Sequence, residues 1–322
     1  MKEHFQAKLE KIFLAPADTF DNVKGQFPIG FKIWNTNKKE VFENVVADIY
    51  DKNANFIGTK GIYSLNKNQY INKFISIYKA TKENNIGFMD GINGNDFQHN
   101  NIVYVLNTKE QLPNPRGIWI NKDNLIPVSI YFSVRKAIEA NWLNDRDQFL
   151  NPNNNWKADK EFQNDCLTFT LFSNNIQTKF GVNHWIPFTE NEVNAKEKFE
   201  SNFMTDFIKG KIKLEQKNEG QLFSGETIQN YNKPLVFSEE ATEVFNAGRE
   251  LWKYYHQQKD INVNAALYDI KLHFQGRNDK GRMNAKSTDD KYTELIGDLR
   301  QKLNLLADKI APKVYEYEFL KL

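Results

Sequence analysis

The segment KIFLAPADTFDNVKGQFPIGFKIWN (residues 11–35) decides how the amino-terminal part of the chain folds. The apolar run at 11–17 and the aromatic and β-branched run at 26–35 both have the composition of strands, and the turn-like segment 18–26 connects them. We therefore expect an antiparallel pair of strands. Pro28 has no N–H group to donate to a sheet, so we expect it at the first positions of its strand or on a sheet edge.

The segments that follow continue this β-rich pattern. Residues 42–65 predict a second hairpin with its turn at 52–55. Residues 86–92 and 101–107 predict two further strands around a loop rich in asparagine and glycine, which tolerate turn conformations. The other predictions for this half are a helix over 67–84, a strand around 126–132 and a helix over 134–145. Residues 150–160 form a cluster of chain-breaking residues, and the segments 161–173 and 183–188 complete this half of the chain.

From residue 189 the pattern changes to that of helices. Thr189 followed by Glu192 forms a capping box, and Ser238 can cap a second helix. A last helix is expected over 289–310, and the polar segment 210–233 is interpreted as a flexible excursion. The apolar stripes of the three helices are Val193, Phe199, Phe203 and Phe207; then Val244, Phe245, Leu251 and Tyr255; then Leu295, Leu299, Leu303, Leu306 and Ile310. We predict a mixed α+β or α/β fold with a β-rich amino-terminal half and a helical carboxy-terminal half.

Composition narrows the class of protein. The 322 residues suggest about two domains, and a hydrophobic content of 40% with 14% aromatic residues can supply sizeable cores. No apolar run approaches the roughly 20 residues of a membrane span, and the start lacks the apolar stretch of a secretory signal, so we expect a soluble, cytoplasmic protein. The net charge is only +2, so the overall charge does not indicate a nucleic-acid partner by itself.

The sequence holds no self-sufficient catalytic motif. There is no GxxxxGK[ST] phosphate loop, no GxGxxG after a strand, no HExxH and no GxSxG. Cys166 lies within an apolar alternation, which indicates a core thiol, and the five histidines are too scattered for a zinc site. The nearest approach to the acid-acid-lysine motif of a nuclease is Asp18, Asp21 and Lys24. We therefore expect neither a catalytic residue nor a bound metal in this chain.

Amide, aromatic and charged side chains crowd instead at four segments, 95–101, 141–148, 162–165 and 183–185. An amide offers a donor and an acceptor together, which suits the reading of base edges, and aromatic rings offer stacking faces. The same amides also close loops by bonding to nearby backbone groups. The residues alone leave both roles open.

Six blocks of the chain are long and unusual in composition: DTFDNVKGQFPIGFKIWNT (18–36), GINGNDFQHNNIVYVLN (91–107), EANWLNDRDQFLNP (139–152), DKEFQNDCLTFTLF (159–172), NHWIPFTENEVNAKEKFESNFM (183–204) and NAALYDIKLHFQGRN (264–278). In this order, and over nearly the whole chain, they resemble one family. It is the carboxy-terminal portion of the large bacterial restriction-modification DNA methyltransferases of the adenine-N6 class, the N-6 DNA methylases.

The resemblance implies three parts. Residues 1–36 correspond to the end of the catalytic methyltransferase fold, whose last two strands form an antiparallel hairpin. Residues 37–188 correspond to a β-rich target-recognition region and 189–322 to a mostly helical region. The glycine-bearing cofactor motif and the NPPY-type motif that holds the flipped adenine are both missing, since Asn114-Pro115 and Asn151-Pro152 lack the Pro-aromatic continuation. The implied chain is inactive alone and binds no cofactor; an upstream methyltransferase core, in the same polypeptide or as a separate subunit, would supply the S-adenosylmethionine site.

Family resemblance and loop chemistry together yield a set of expected contacts with double-stranded DNA. These residues are Lys24, Gln26, Asn95, Gln98, His99, Asn100, Arg277, Lys280 and Arg282. We expect Arg277 on a phosphate, because it lies beside Gly276 in the densest local basic excess of the chain, and Arg146 in an ion pair with its flanking aspartates. Two alternatives are a nuclease-associated subunit of a restriction system and a helical protein-interaction scaffold without DNA contact.

Overall fold

The computed structural model describes residues 7–25, 27–213 and 231–321. Gln26 and most of the predicted excursion at 210–233 therefore lie outside the described residues. The strands are β1 (Lys8–Pro16), β2 (Pro28–Asn35), β3 (Asn44–Tyr50), β4 (Phe56–Tyr63), β5 (Gly87–Asp90), β6 (Tyr104–Leu106) and β7 (Gly117–Ile120). The α-helices are α1 (Ile71–Ser76), α2 (Leu125–Lys136), α3 (Lys160–Ser173), α4 (Glu190–Val193), α5 (Phe203–Ile208), α6 (Glu239–His256), α7 (Leu267–Gln275) and α8 (Asp290–Glu316). Short 3₁₀ helices span Ala17–Thr19, Lys67–Gln69, Phe97–Ile102, Lys109–Gln111, Asn155–Lys157 and Thr178–Phe180.

The first sheet has the strand order β2-β1-β3-β4 and contains both predicted hairpins. β1 and β2 pair antiparallel from Lys8↔Asn35 to Pro16↔Pro28, and Pro28 is the first residue of an edge strand, as predicted. β3 and β4 pair antiparallel around the turn at 51–55. β1 also pairs in parallel with β3. The strands before residue 36, β1 and β2, therefore belong to the same sheet as the strands after it, β3 and β4.

The second sheet, of order β6-β5-β7, lies inside the main hydrophobic core. Every residue of its central strand β5 is buried. The helices complete this core, with α2 packed on α3, α3 on α8 and α6 on α8. The mixed fold with a β-rich first half and a helical second half is confirmed, because every strand in the described part of the chain ends before residue 121.

Two of the predicted elements between residues 120 and 175 are wrong. The strand expected around 126–132 is part of helix α2, and the helix expected over 134–145 ends at Lys136. Ten of the twelve residues of α2 are buried, so the helix shows no polar face, and a continuous apolar run of this kind cannot be distinguished from a buried strand by its periodicity. Beyond α2, the side chain of Asn141 accepts hydrogen bonds from the backbone N–H groups of Leu143 and Asn144, which favours a turn over a helix.

Two other helix predictions hold only in part. Of the helix expected over 67–84, only α1 is α-helical, and the chain then leaves the helix to form a bridge between Ala80 and Trp119. The helix expected from residue 189 is interrupted after Val193, because Asn194 adopts the left-handed conformation with φ of 56°. The capping interaction is present, with Glu192 accepting hydrogen bonds from the backbone N–H and the hydroxyl of Thr189.

The last two long helices were predicted correctly. Ser238 accepts a hydrogen bond from the N–H of Ala241 at the start of α6, and the four residues of its predicted stripe are buried. In α8 the predicted residues Leu299, Leu306 and Ile310 are buried, and the helix continues six residues beyond its predicted end.

Candidate nucleic-acid interface

A short exposed hairpin follows α7 and carries three of the predicted DNA contacts. We call residues 276–284 the basic hairpin. It starts at Gly276 and turns at Gly281. Their φ angles, 65° and 72°, are reached easily only by glycine. Arg277 and Met283 form an antiparallel bridge across it. The side-chain oxygen of Asn278 accepts hydrogen bonds from the backbone N–H groups of Lys280 and Arg282, at 3.0 and 3.1 Å, and fixes the tip.

The base of the basic hairpin is tied to the helical core. Asn284 donates a side-chain hydrogen bond to the carbonyl of Gln275 at 2.8 Å, and the side chain of Gln275 donates one to the carbonyl of Asn284 in return. The hydroxyl of Tyr292, on α8, donates to the side-chain oxygen of Gln275 at 2.7 Å. Below them the ring of Phe274 stacks between Tyr254 and Tyr292. These contacts hold the hairpin as a rigid projection from α7 and α8.

The charge on this projection is almost entirely positive. Arg277, Lys280 and Arg282 are exposed, and Asp279 is the one acid between them. Arg277 donates a hydrogen bond to the carbonyl of Gly281 at 2.7 Å, which places its guanidinium over the tip. None of the three cations forms an ion pair with any of the described residues. A rigid group of three unpaired cations is suited to contacts with phosphate groups.

The asparagine-rich loop at residues 93–102, the asparagine loop below, is organised by a buried arginine. Arg135, on α2, is fully buried, and its guanidinium donates hydrogen bonds to the carbonyls of Gly94 and Asp96 and to the side-chain oxygen of Asn100. The guanidinium also lies 4.8 Å from the ring centre of Phe149. Asn100 therefore uses its side chain to hold the loop on the core, which is the loop-closing role of an amide.

The two basic residues below this loop, Arg135 and Lys136, both have lowered pKa values. Burial lowers the pKa of Arg135. Burial, together with the positive charge of Arg135, lowers the pKa of Lys136 to about 8, and the ammonium of Lys136 donates to the carbonyl of Asn100. Both cations are directed at the inside of the asparagine loop, where they hold the backbone in place.

The exposed edge of the asparagine loop contacts the segment 141–148. Gln98 accepts a hydrogen bond from Arg146 at 2.7 Å and donates one to Asp145 at 3.4 Å. Arg146 also lies 3.7 Å from the Asp145 carboxylate, so one of its two flanking aspartates is its partner. The other, Asp147, pairs with Lys60 of β4 at 2.5 Å; burial raises the pKa of Asp147, and Lys60 opposes this shift.

The remaining predicted contacts lie on the same loop and in the first hairpin. His99 is exposed, and its Nδ1 lies 2.6 Å from the Asp96 carboxylate. Asn95 is half-buried, and its carbonyl accepts a hydrogen bond from the N–H of Phe149 at 2.6 Å. Lys24 is exposed in the connection between β1 and β2. The predicted residues thus belong to three separate elements, and the structure brings together those within the asparagine loop and those within the basic hairpin.

Two residues that organise these elements were missed in the sequence. Arg135 is the only charged residue in the apolar run 125–135, and this isolated charge in a core helix is the signal that could have found it. Asn278 lies two residues before Lys280 within a segment that also holds Gly276 and Gly281, a composition typical of a tight turn.

Two observations on the described residues concern nucleophilic and metal chemistry. Cys166 is fully buried and burial raises the pKa of its thiol, as expected of a core cysteine rather than a nucleophile. Among residues 7–25, 27–213 and 231–321, no group of three or more His, Cys, Asp or Glu side chains could hold a metal ion. In the same part of the chain, no helix is long and apolar enough to cross a membrane.

Comparison of the chain with protein-family models, with curated proteins and with solved structures finds no match.

Proposed function

We propose that this chain is the DNA-binding, target-recognition portion of an adenine-N6-specific DNA methyltransferase of a restriction-modification system. The family rests on the resemblance of the six sequence blocks. The observation that carries DNA contact is the basic hairpin, whose three exposed cations have no ion-pair partner in the described part of the chain. The S-adenosylmethionine site and the adenine pocket would belong to a separate core, because this chain lacks the motifs for both.

In this function the basic hairpin fixes the position of DNA. Arg277, Lys280 and Arg282 neutralise phosphates and release counterions, which supplies affinity without sequence information. The bonds made by Asn278 order the hairpin before it binds, so less conformational entropy is lost on binding.

We assign the reading of base edges to the exposed edge of the asparagine loop. Gln98 and His99 are exposed, whereas Asn100 is occupied by Arg135. Arg146 positions the Gln98 amide through its hydrogen bond. In an enzyme reconstituted with its core, Gln98→Ala is expected to relax the choice of target sequence, with roughly 1–3 kcal/mol lost per bidentate base contact.

A salt titration tests the phosphate role. Binding of the chain to duplex DNA is measured across a salt series for the wild type and for Arg277→Ala, Lys280→Ala and Arg282→Ala. Each substitution is expected to weaken binding to all sequences alike and to reduce the slope of log K against log salt by about 0.9. Arg146→Ala is the control, because Arg146 bonds to Gln98 and Asp145, and it should leave the slope unchanged. Unchanged slopes for all three hairpin variants would remove the basic hairpin from the DNA surface.

A methylation assay tests whether methyl transfer requires the separate methyltransferase core. The purified chain should transfer no methyl group from S-adenosylmethionine to DNA and should show no binding of this cofactor by calorimetry. Robust methylation by the chain alone would contradict the proposal.

A further inference from the structure

One face of the first sheet is covered by the described part of the chain, and the other face is not covered by any of those residues. Directly paired residues lie on the same face of a sheet, so the pair Ile12↔Ala47 marks one face and the pairs Phe13↔Phe31 and Phe13↔Asp48 mark the other. The first face forms a small core of its own, which includes Ile12, Val45, Ala47 and Ile49 and packs against Trp142 and Leu143. The second face carries an apolar surface.

We call this second surface the aromatic sheet face; it comprises Phe13, Phe31, Ile33, Val46, Tyr50 and Phe56. Four of these side chains, Phe31, Ile33, Val46 and Phe56, are 51%, 51%, 52% and 57% exposed. They come from β2, β3 and β4, so the apolar surface extends from one edge of the sheet to the other. Ring contacts between Phe13 and Tyr50 and between Tyr50 and Phe56 join the strands across it.

We propose that the aromatic sheet face is the interface of a two-fold dimer of this chain. Antiparallel-rich sheets pack face to face through apolar side chains at about 10 Å separation, and a two-fold axis brings the same surface of both copies together. This proposal concerns a surface outside the basic hairpin and the asparagine loop, and it goes beyond the proposed function.

The size of the surface fits a second copy. Half-exposed aromatic and aliphatic side chains each present roughly 100 Å² of apolar area, so the four most exposed residues present roughly 400 Å². Two copies would bury about 800 Å² from these residues alone, and the rest of the face brings the total past the roughly 1,000 Å² of a specific interface. An interface of this size corresponds to a dimer that dissociates on dilution.

Charge favours another protein surface over nucleic acid as the occupant. The charged residues of the face, Lys11 and Asp48, neutralise each other at 2.6 Å. Between residues 7 and 65, eight lysines are balanced by seven carboxylates. A stacking platform for single-stranded nucleic acid needs a cationic groove along the backbone, which this face does not supply, whereas two neutral copies meet without repulsion.

The test compares two valine-to-lysine substitutions in the full chain. Val46 lies in the middle of the face on β3, whereas Val41 is 83% exposed in the connection before β3. Sedimentation velocity without DNA is run over a wide range of protein concentration. The wild type and Val41→Lys are expected to form dimers with equal dissociation constants, and Val46→Lys is expected to raise that constant at least tenfold, because it places like charges near the axis.

The controls distinguish a loss of dimerisation from a loss of folding. Circular dichroism checks that each variant is folded, and Phe31→Ser, a milder change on edge strand β2, replaces Val46→Lys if that variant does not fold. A wild type that stays monomeric at the highest concentration overturns the proposal, as does a folded face variant that dimerises like the wild type. Loss of single-stranded DNA binding by Phe31→Ser in a monomeric protein would assign the face to nucleic acid instead. None of these outcomes depends on the basic hairpin, so the dimer and the DNA contact fail independently.

Discussion

Single buried polar residues decide how the candidate site is held. Arg135 is fully buried, yet its guanidinium donates to two carbonyls and to the Asn100 side chain, so its N–H groups have acceptors. Gln98, two residues from Asn100, is exposed, and in the described part of the chain its amide bonds to the side chains of Arg146 and Asp145. Two amides of one loop therefore have different tasks, and their neighbours alone do not reveal this.

Alanine substitution separates these two tasks by stability. Asn100→Ala leaves the buried Nε of Arg135 without its acceptor and is expected to lower the free energy of unfolding by about 1–3 kcal/mol. Gln98→Ala should change it by about 0.5 kcal/mol or less, because Gln98 is exposed. Asn100→Asp keeps an acceptor for Arg135 and should restore most of the loss. Urea unfolding of the three variants measures the differences, and equal effects of the two alanine substitutions would contradict the assigned roles.

His256 is a second buried polar residue, and unlike Arg135 its ring makes no hydrogen bond to any described residue. It is 3% exposed, and neither ring nitrogen has a hydrogen-bond partner in the described part of the chain. Its ring lies near the rings of Phe199 and Tyr255, and burial lowers its pKa to about 4. Below pH 6.5 the unfolded chain binds a proton that the folded chain does not bind, so stability falls between pH 6.5 and 4.

His256→Phe removes this proton linkage. The variant should unfold with a free energy similar to or above that of the wild type at pH 7. As the pH falls from 6.5 to 4, its advantage should grow to as much as about 3 kcal/mol, at 1.36 kcal/mol per pKa unit. Urea unfolding at several pH values measures the difference between the two proteins, which cancels the shared effect of the carboxylates. A constant difference over this range would show that His256 does not cause the acid sensitivity.

At the scale of elements, the caps and turns of the helical half position the basic residues. α7 ends at Gln275, and the chain reverses through the basic hairpin before α8 begins at Asp290. The order of the hairpin depends on the side chain of Asn278, which carries no charge. The contribution of order to binding can therefore be separated from the contribution of charge.

Asn278→Ala is expected to weaken DNA binding without changing its salt dependence. The three cations remain, but ordering them on binding should cost about 0.5–1.5 kcal/mol more, a loss of roughly twofold to tenfold in affinity. Thermal stability should barely change, because the hairpin tip is exposed. The same salt series that is used for Arg277→Ala measures both quantities. A slope that falls as it does for Arg277→Ala would mean that Asn278 holds a phosphate-bound cation in place rather than ordering the whole hairpin.

At the scale of the whole molecule, the chain has two hydrophobic cores of unequal size. Among the described residues, the core under the first sheet has four buried side chains, Ile12, Val45, Ala47 and Ile49, whereas the main core runs from Ile71 to Leu320. Lys60 links the two by its ion pair with Asp147 and its hydrogen bond to the carbonyl of Leu143. Since burial of apolar area is the main source of stability, the first sheet is the weaker unit.

Hydrogen exchange should resolve these two units. Amides of β1 to β4 are expected to exchange through a lower-energy opening than amides of α2 and α3, which lie in the main core. Lys60→Met removes the ionic link while keeping the apolar stem, and should speed exchange in the first sheet but not in α3. Mass spectrometry of peptides from the full chain measures both. Uniform protection across the two units would contradict their independence.

The sequence by itself determined the elements whose signal is local. The alternation and turn residues of 11–35 and 42–65 predicted two hairpins, and the caps with apolar stripes predicted α6 and α8; all four were correct because these patterns depend on near neighbours in the chain. The apolar context of Cys166 likewise predicted its burial. The proposal of the family rests on the sequence blocks alone, and the proposed phosphate contacts rest on the exposed cations of the basic hairpin.

Only the tertiary structure decided the rest. α2 and α3 are buried along nearly their whole lengths, which removes the polar face that distinguishes a helix from a strand in sequence. The parallel pairing of β1 with β3 and the contact between Arg135 and Asn100 join residues about 35 positions apart. Contacts of this kind are set by how whole elements pack, because a buried N–H donor or a strand of a sheet finds its partners in parts of the chain that are remote in sequence.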